Sequence, residues 1–139
     1  MKNGFTISTD KNKLDVSAIH DYLSNRSYWG QGRTIEAVRK SIDNSLCFGV
    51  YDKEDHFAGF ARVITDYTVF AYLLDLFILE CHRKRGLGKC LVDYIVNIEV
   101  LKNLRWRLDT KDAHGLYRKF GFREPAFPEK IMEKSRTKV

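Results

Sequence analysis

Arg83-Lys84-Arg85-Gly86-Leu87-Gly88-Lys89 joins an apolar run, Val69 to Leu79, to a segment whose apolar residues recur at helical spacing from Leu87 onward. An extended run, a glycine-rich turn and then a helix is the local order of an anion cradle. Without Cβ atoms at Gly86 and Gly88 the backbone N–H groups can converge on a phosphate oxygen, and the helix start adds the positive end of its dipole. Arg83, Lys84, Arg85 and Lys89 bring full charges to the same few residues, and arginine grips phosphate through paired hydrogen bonds. The expected ligand is therefore phosphorylated.

The spacing narrows the choice of ligand. A P-loop requires glycine where Arg83 stands and Ser or Thr where Cys90 stands, so the hydroxyl that holds magnesium is missing. The dinucleotide fingerprint G-x-G-x-x-G requires glycine at Leu91. What remains, R-x-x-G-x-G from Arg83 to Gly88, resembles motif A of the GNAT family of N-acetyltransferases, which bind acetyl-CoA. Downstream, Ala113-His114-Gly115-Leu116-Tyr117-Arg118-Lys119-Phe120-Gly121-Phe122 resembles the family's motif B, A-x-x-L-Y-x-K-x-G-F. Two motifs at compatible spacing carry the resemblance together.

At 139 residues the chain suits one domain, 1–139, with interior enough for a single core. Hydrophobic content of 44% and aromatic content of 13% are globular values, which sets disorder aside. No apolar run reaches the ~18 residues of a membrane helix, and Met1-Lys2-Asn3-Gly4 leads into no apolar secretory segment. A cytoplasmic protein without membrane attachment is the expectation. The three cysteines, Cys47, Cys81 and Cys90, form no C-x-x-C pair, and Cys81-His82 has no second ligand pair, so neither a disulfide framework nor a metal site is expected. A formal charge of +6 suits an anionic partner, and CoA or nucleic acid would satisfy it equally. The arginines outside the cradle are scattered and no nucleic-acid motif appears, which argues against the second.

Read along the chain, Phe5 to Thr9 alternates as a first strand, and Asp15 and Thr34 offer N-caps to helices carrying Val16, Ile19, Leu23 and Ile35, Val38, Ile42. Leu46 to Tyr51, Phe57 to Ile64 and Val69 to Leu79 read as three successive antiparallel strands. A helix with Leu87, Leu91, Ile95 and Ile98 on one stripe should end near Lys102 and Asn103. Leu104, Trp106 and Leu108 then alternate as a half-buried strand, motif B supplies a further helix closed by Gly121, and a last short strand is expected around Ile131 to Glu133. The sum is an α/β chain with a mixed, mostly antiparallel central sheet flanked by about four helices. The resemblance implies a GNAT-like fold in which the strands before and after the motif A helix splay apart to form the CoA cleft.

Acetyl transfer from a thioester to an amine needs a polarised carbonyl, a neutral amine and a proton for the departing thiolate. The resemblance assigns the backbone of Leu76, Phe77 and Ile78 to the acetyl carbonyl and pantetheine amides, Arg83 through Lys89 to the pyrophosphate, and Tyr117 to protonation of the leaving sulfur. Asp75 stands out on physical grounds alone, because a carboxyl inside an apolar strand is costly to bury unless paired or functional. It can serve as a general base, or it can be a structural aspartate satisfied by backbone donors. Several family members carry a glutamate base where Tyr72 stands here, so Asp75, Asp66 and His114 are all candidates. Thr110 replaces a motif B asparagine that helps hold CoA. The acceptor site is expected among the first helices, the loop Arg26 to Gly30 and the hairpin at Asp66-Tyr67, with Tyr28 and Trp29 as an aromatic wall for the amine or as core plugs.

The resemblance thus implies direct transfer of an acetyl group from acetyl-CoA to the primary amine of a small-molecule acceptor, with no covalent acyl-enzyme. Its rivals are a non-catalytic acyl-CoA-binding module and a basic nucleic-acid-binding protein. A homodimer is left open.

Overall fold

The computed structural model describes residues 4–136. The elements run β1 (Thr6–Ser8), α1 (Val16–Asp21), α2 (Ile35–Asp43), β2 (Leu46–Tyr51), β3 (Phe57–Thr65), β4 (Phe70–Ile78), α3 (Leu87–Asn97), β5 (Arg105–Leu108) and α4 (His114–Arg118). The five strands form one sheet in chain order. β1 to β4 pair antiparallel, and β5 lies parallel to β4 after the α3 crossover. This is the mixed, mostly antiparallel sheet with four α-helices that the sequence predicts.

Both early helices start where a side chain satisfies a free amide. Asp15 accepts from the Ala18 N–H at 3.0 Å and Thr34 from the Ala37 N–H at 3.1 Å. α1 widens into a π-helical turn over Tyr22–Arg26, which sets the start of the loop leading to α2. The helices cover opposite faces of the sheet. Ile19, Val38 and Ile42 of α1 and α2 pack with Cys47, Phe60 and Phe77, while Leu87, Leu91 and Ile95 of α3 pack with Phe48, Val50, Val63 and Leu73. Leu91 is fully buried, and truncating it to alanine would cost about 3 kcal/mol.

β4 changes face part-way along. Phe60 pairs with Phe77 and Arg62 with Leu74, so Asp75 and Leu76 together oppose Ala61 in a bulge, and Asp75 takes a left-handed φ of 56°. Aspartate tolerates that conformation better than most residues. Before the bulge Ala71 and Leu73 face α3; after it Leu76 and Ile78 do, and Phe77 turns to α1 and α2. The bulge therefore decides which side of the sheet each residue at the end of β4 serves.

Two expectations are corrected. α3 ends at Asn97, not near Lys102, because the Asn97 side-chain amide folds back onto the Asp93 carbonyl at 2.9 Å and Ile98 is already extended. The strand expected around Ile131 to Glu133 does not form. Pro128 starts a short 3₁₀ turn, and Ile131 to Glu133 then run exposed without pairing to β5, leaving that strand as the sheet edge.

Candidate active site

β4 and β5 pair only from Phe70–Arg105 to Leu73–Leu108. Beyond Leu73 the β5-facing edge of β4 has no strand partner among the described residues, so the segment from Leu74 toward Ile78 leaves backbone groups open along a wedge, apart from the Ile78 carbonyl, which Arg83 takes. The side chains of that segment do other work: Phe77 is buried and stacks on Tyr22 at 4.0 Å.

The wedge leads to the Arg83–Lys89 turn. Lys84 and Gly86 both hold left-handed φ, at 64° and 74°, which curls the intervening amides toward one another. The first helical bond runs from the Cys90 N–H to the Gly86 carbonyl. Among the described residues the six amides of residues 84–89 donate to no carbonyl or side chain, and a Cβ at Gly86 would meet nothing within 4 Å, so the turn is open at Gly86. Such a row of unpaired donors at the start of an eleven-residue helix suits a pyrophosphate. Among the described residues Lys84, Arg85 and Lys89 form no ion pair, and their charges are available to it. Leu87 contributes only its amide, because its side chain is core.

Arg83 behaves differently from the expectation of a phosphate grip. Its Nε donates to the Ile78 carbonyl at 3.0 Å and its Nη2 to the Tyr22 hydroxyl at 2.6 Å, with Glu80 3.9 Å away. It braces the end of β4 against the first helical segment, leaving the cradle to backbone and to its neighbours.

Tyr117 on α4 packs against the α3-side core, with its ring 5.8 Å from that of Phe122. Burial, with smaller contributions from nearby Tyr28 and Asp112, pushes its phenol up to about 12. Tyr28 reaches this region across 83 residues of sequence: its hydroxyl accepts the Lys111 N–H at 2.9 Å. Trp29 packs edge-on against it at 5.1 Å. At 48% and 39% exposure Tyr28 and Trp29 form a wall, not a core plug. The Lys111 ammonium already lies 5.3 Å from the Tyr28 ring centre, so that face holds a cation of its own.

Asp75, expected as a general base or as a structural aspartate satisfied by backbone donors, is held by side chains and not by backbone. Its Oδ2 accepts from Arg33 at 2.8 Å and from Arg62 at 2.9 Å, and Arg62 reaches on to Ser45 at 3.0 Å. Oδ1 is buried without a donor among the described residues. Two guanidiniums on one oxygen make Asp75 the fastening between β4, β3 and the loop before α2. The signal was present in the sequence, since Arg62 interrupts an apolar strand as Asp75 does, and two opposite charges in adjacent buried strands call for each other.

Asp66 stands apart from these residues. Its carboxylate accepts the N–H groups of Val69, Thr68 and Phe70, which hold its pKa below the ordinary value, and so it shapes the β3–β4 turn. The nine residues of β4 separate that turn from the cradle by about 25 Å of strand. Tyr72 lies near Asp109: its hydroxyl is pushed up to about 12 by burial and then by that carboxylate just beyond β5. His114 lines an open cleft of about 1070 Å³ along the free edge of β5, together with Tyr117, Trp106, Asp109 and Thr110. Among the described residues no three His, Cys, Asp or Glu side chains gather as metal ligands.

A parallel strand pair whose pairing stops at Leu73–Leu108, leading to a glycine cradle, with a half-buried tyrosine on the helix beyond, defines a CoA-type acyltransferase domain. A model of the acetyltransferase (GNAT) domain matches residues 43–124, and the chain belongs to that family. Its structure is similar to that of a candidate GNAT acetyltransferase from Xanthomonas campestris pv. campestris. The two are 43% identical over 95% of this chain and 93% of that one, with a TM-score of 0.92. A candidate acetyltransferase from Gibberella zeae is 30% identical over 112 residues, 68% of this chain, and the chain spans 63% of that protein's length. Spermidine N-acetyltransferase from Vibrio cholerae, in a structure with CoA and spermine, shares the fold at TM-score 0.71 and 20% identity, over 88% of this chain and 83% of that one.

Proposed function

We propose that this chain is an N-acetyltransferase that moves the acetyl group of acetyl-CoA directly onto the primary amine of a small molecule. The observation that carries the reading is the unpaired end of β4 running into six free amides at 84–89. An open strand edge suits the pantetheine amides and the acetyl carbonyl, and the amides beyond it suit the pyrophosphate. Acetyl-CoA supplies the activated thioester. The amine nitrogen bonds to the acetyl carbon as the C–S bond breaks, and the sulfur takes the hydroxyl proton of Tyr117. The proton lost by the amine nitrogen on becoming an amide then restores the tyrosine, so Tyr117 relays a proton without net ionisation. A phenol raised to about 12 is protonated throughout the neutral range, as that role requires. Asp75, bound to two arginines, serves as a positioning residue, and Tyr28 and Trp29 line the approach of the acceptor.

Thiol release from acetyl-CoA over a panel of primary amines tests this. Tyr117→Phe should lower kcat about hundredfold with acetyl-CoA affinity unchanged. Because the tyrosine loses its proton only near pH 12, the wild-type rate should rise with pH as the amine deprotonates and show no alkaline limb from Tyr117 below that range. A normal kcat in the variant would remove Tyr117 as the relay. A folded, CoA-bound protein that releases no thiol with any amine would be an acyl-CoA-binding module.

A further inference from the structure

The C-terminal segment and the free edge of β5 each lack what the other offers. Every residue of 123–136 is exposed, although the segment carries Phe127, Ile131 and Met132. Apolar side chains strung along an exposed segment gain nothing in the monomer that would offset the entropy of ordering them. Met132, at 96% exposure, is the extreme case. Ile131 has extended backbone and the residues after it enter no helix, turn or bend, so the segment already has the shape of a strand. β5 for its part has no partner on its outer side among the described residues, and it carries neither the proline nor the bulge that protects many sheet edges.

Within one chain the two do not meet. Phe127, Lys130, Ile131 and Glu133 line the cleft of about 1070 Å³ that runs along β5. Met132 does not line it, because alternation along an extended chain turns that side chain away from Ile131 and Glu133. On the α3 side of β5 a recess of about 420 Å³ is lined by Val96, Trp106, Phe120 and Phe122 together with polar neighbours. A methionine side chain, unbranched and adaptable, suits such an irregular gap. Charge fits in the same sense. Arg105 and Arg107 stand on the face of β5 away from Trp106 and would repel the edge of another β5. A strand that brings Met132 to the face of Trp106 brings Glu133 to the face of these arginines.

We propose that the free edge of β5 is the docking site for residues 131–133 of a second copy of this chain, exchanged reciprocally about a two-fold axis, so that each five-stranded sheet gains one strand from its partner. The outer backbone groups of β5 then pair, Met132 fills the recess beside Trp106, and Glu133 meets Arg105 and Arg107. One chain carries both the edge and the strand, so the exchange closes on itself and leaves neither open. The acetyltransferase reading plays no part in this inference, and its test needs no turnover.

Sedimentation of the full chain without ligand should show a dimer that dissociates on dilution. Met132→Glu should weaken it about a hundredfold or more. Because Met132 is almost fully exposed in the monomer, the variant should match diluted wild type in circular dichroism and urea unfolding. A charge exchange then identifies the contact. Glu133→Arg sets arginine against arginine, and the double variant Arg105→Glu, Arg107→Glu sets carboxylate against carboxylate, so each alone should be monomeric where wild type is dimeric. Mixed together, the two variants should dimerise, since each segment in the mixed pair again meets opposite charge on β5. A wild type that stays monomeric at every concentration, its segment on its own β5 or free, would overturn the proposal. So would a dimer that Met132→Glu leaves intact, which would put the interface elsewhere, or charge variants that dimerise separately or fail to dimerise when mixed.

Discussion

The proposed donor side and the proposed acceptor side of the wedge are built on different principles. The donor side is made of backbone: an unpaired strand edge from Leu74 to Ile78 and the amides of residues 84–89, shaped by Gly86 and by the left-handed Lys84. The acceptor side is made of side chains that meet from distant segments, Tyr28 on Lys111, Arg33 and Arg62 on Asp75, Tyr72 beside Asp109. Backbone sites depend on a few residues that must lack a Cβ or begin a helix, so they leave a compact trace in sequence. Side-chain sites depend on the tertiary fold and leave scattered ones. The region that matches the GNAT domain, 43–124, contains the whole cradle but excludes Tyr28, Trp29 and Arg33.

The sharpest way to break this comparison is at Gly86. A glutamate there must adopt a φ of 74° that L residues resist, and it places a carboxylate over amides that await an anion. Because a Cβ at Gly86 touches nothing within 4 Å, the fold should survive. Acetyl-CoA affinity by calorimetry should fall by about a thousandfold or more. Gly86→Asn, which tolerates the left-handed region, should retain most of it. Unchanged affinity in Gly86→Glu would show that the cradle is not where the pyrophosphate binds.

The same division explains what could be read before the structure. The strands and the helix after Gly86 follow from periodicity, each encoded within a dozen residues, and the open edge past Leu73 is what the resemblance carried by the two motifs implies. Arg83 reads as part of a basic cradle, yet its guanidinium lies on Tyr22, 61 residues away. Local charge density carries no information about such a partner. The bulge at Asp75 is equally silent, because a non-glycine residue at positive φ has no pattern of its own, and it reverses which side of the sheet the following residues face. The missing strand at Ile131 to Glu133 is an error of another kind: alternation describes what a strand needs, not whether an edge will pair with it.

A second test separates the two sides energetically. Arg62 is 8% exposed and shares the Asp75 carboxylate with Arg33, so Arg62→Met leaves a buried charge half-compensated. Unfolding by urea should register a loss of about 3 kcal/mol. Arg62→Met combined with Asp75→Asn, which removes both charges of that pair and keeps a residue that tolerates the left-handed φ, should recover part of it. In the single variant the acceptor KM should rise through Arg33 and the loop it holds, with acetyl-CoA affinity unchanged. Were both affinities to fall together, the bulge would be setting the donor edge as well, and the two sides would not be separable.

The smallest effect is expected at Asp66, where sequence reading placed an acceptor contact and the fold places a turn. Asp66→Ala removes the acceptor of three backbone N–H groups, at Thr68, Val69 and Phe70, and leaves them to water. The folded-state pKa of Asp66 is depressed by those bonds, so its stabilisation is present above the unfolded carboxylate pKa and is lost as pH falls through the folded value. Thermal unfolding should accordingly show the variant below wild type at pH 7 and the gap closing as the pH is lowered beneath the ordinary carboxylate range. The kinetic constants should be the same in both proteins, because about 25 Å of β4 lies between this turn and the cradle. A raised acceptor KM in Asp66→Ala would return the hairpin to the acceptor site and move the amine to the opposite end of β4 from Tyr117.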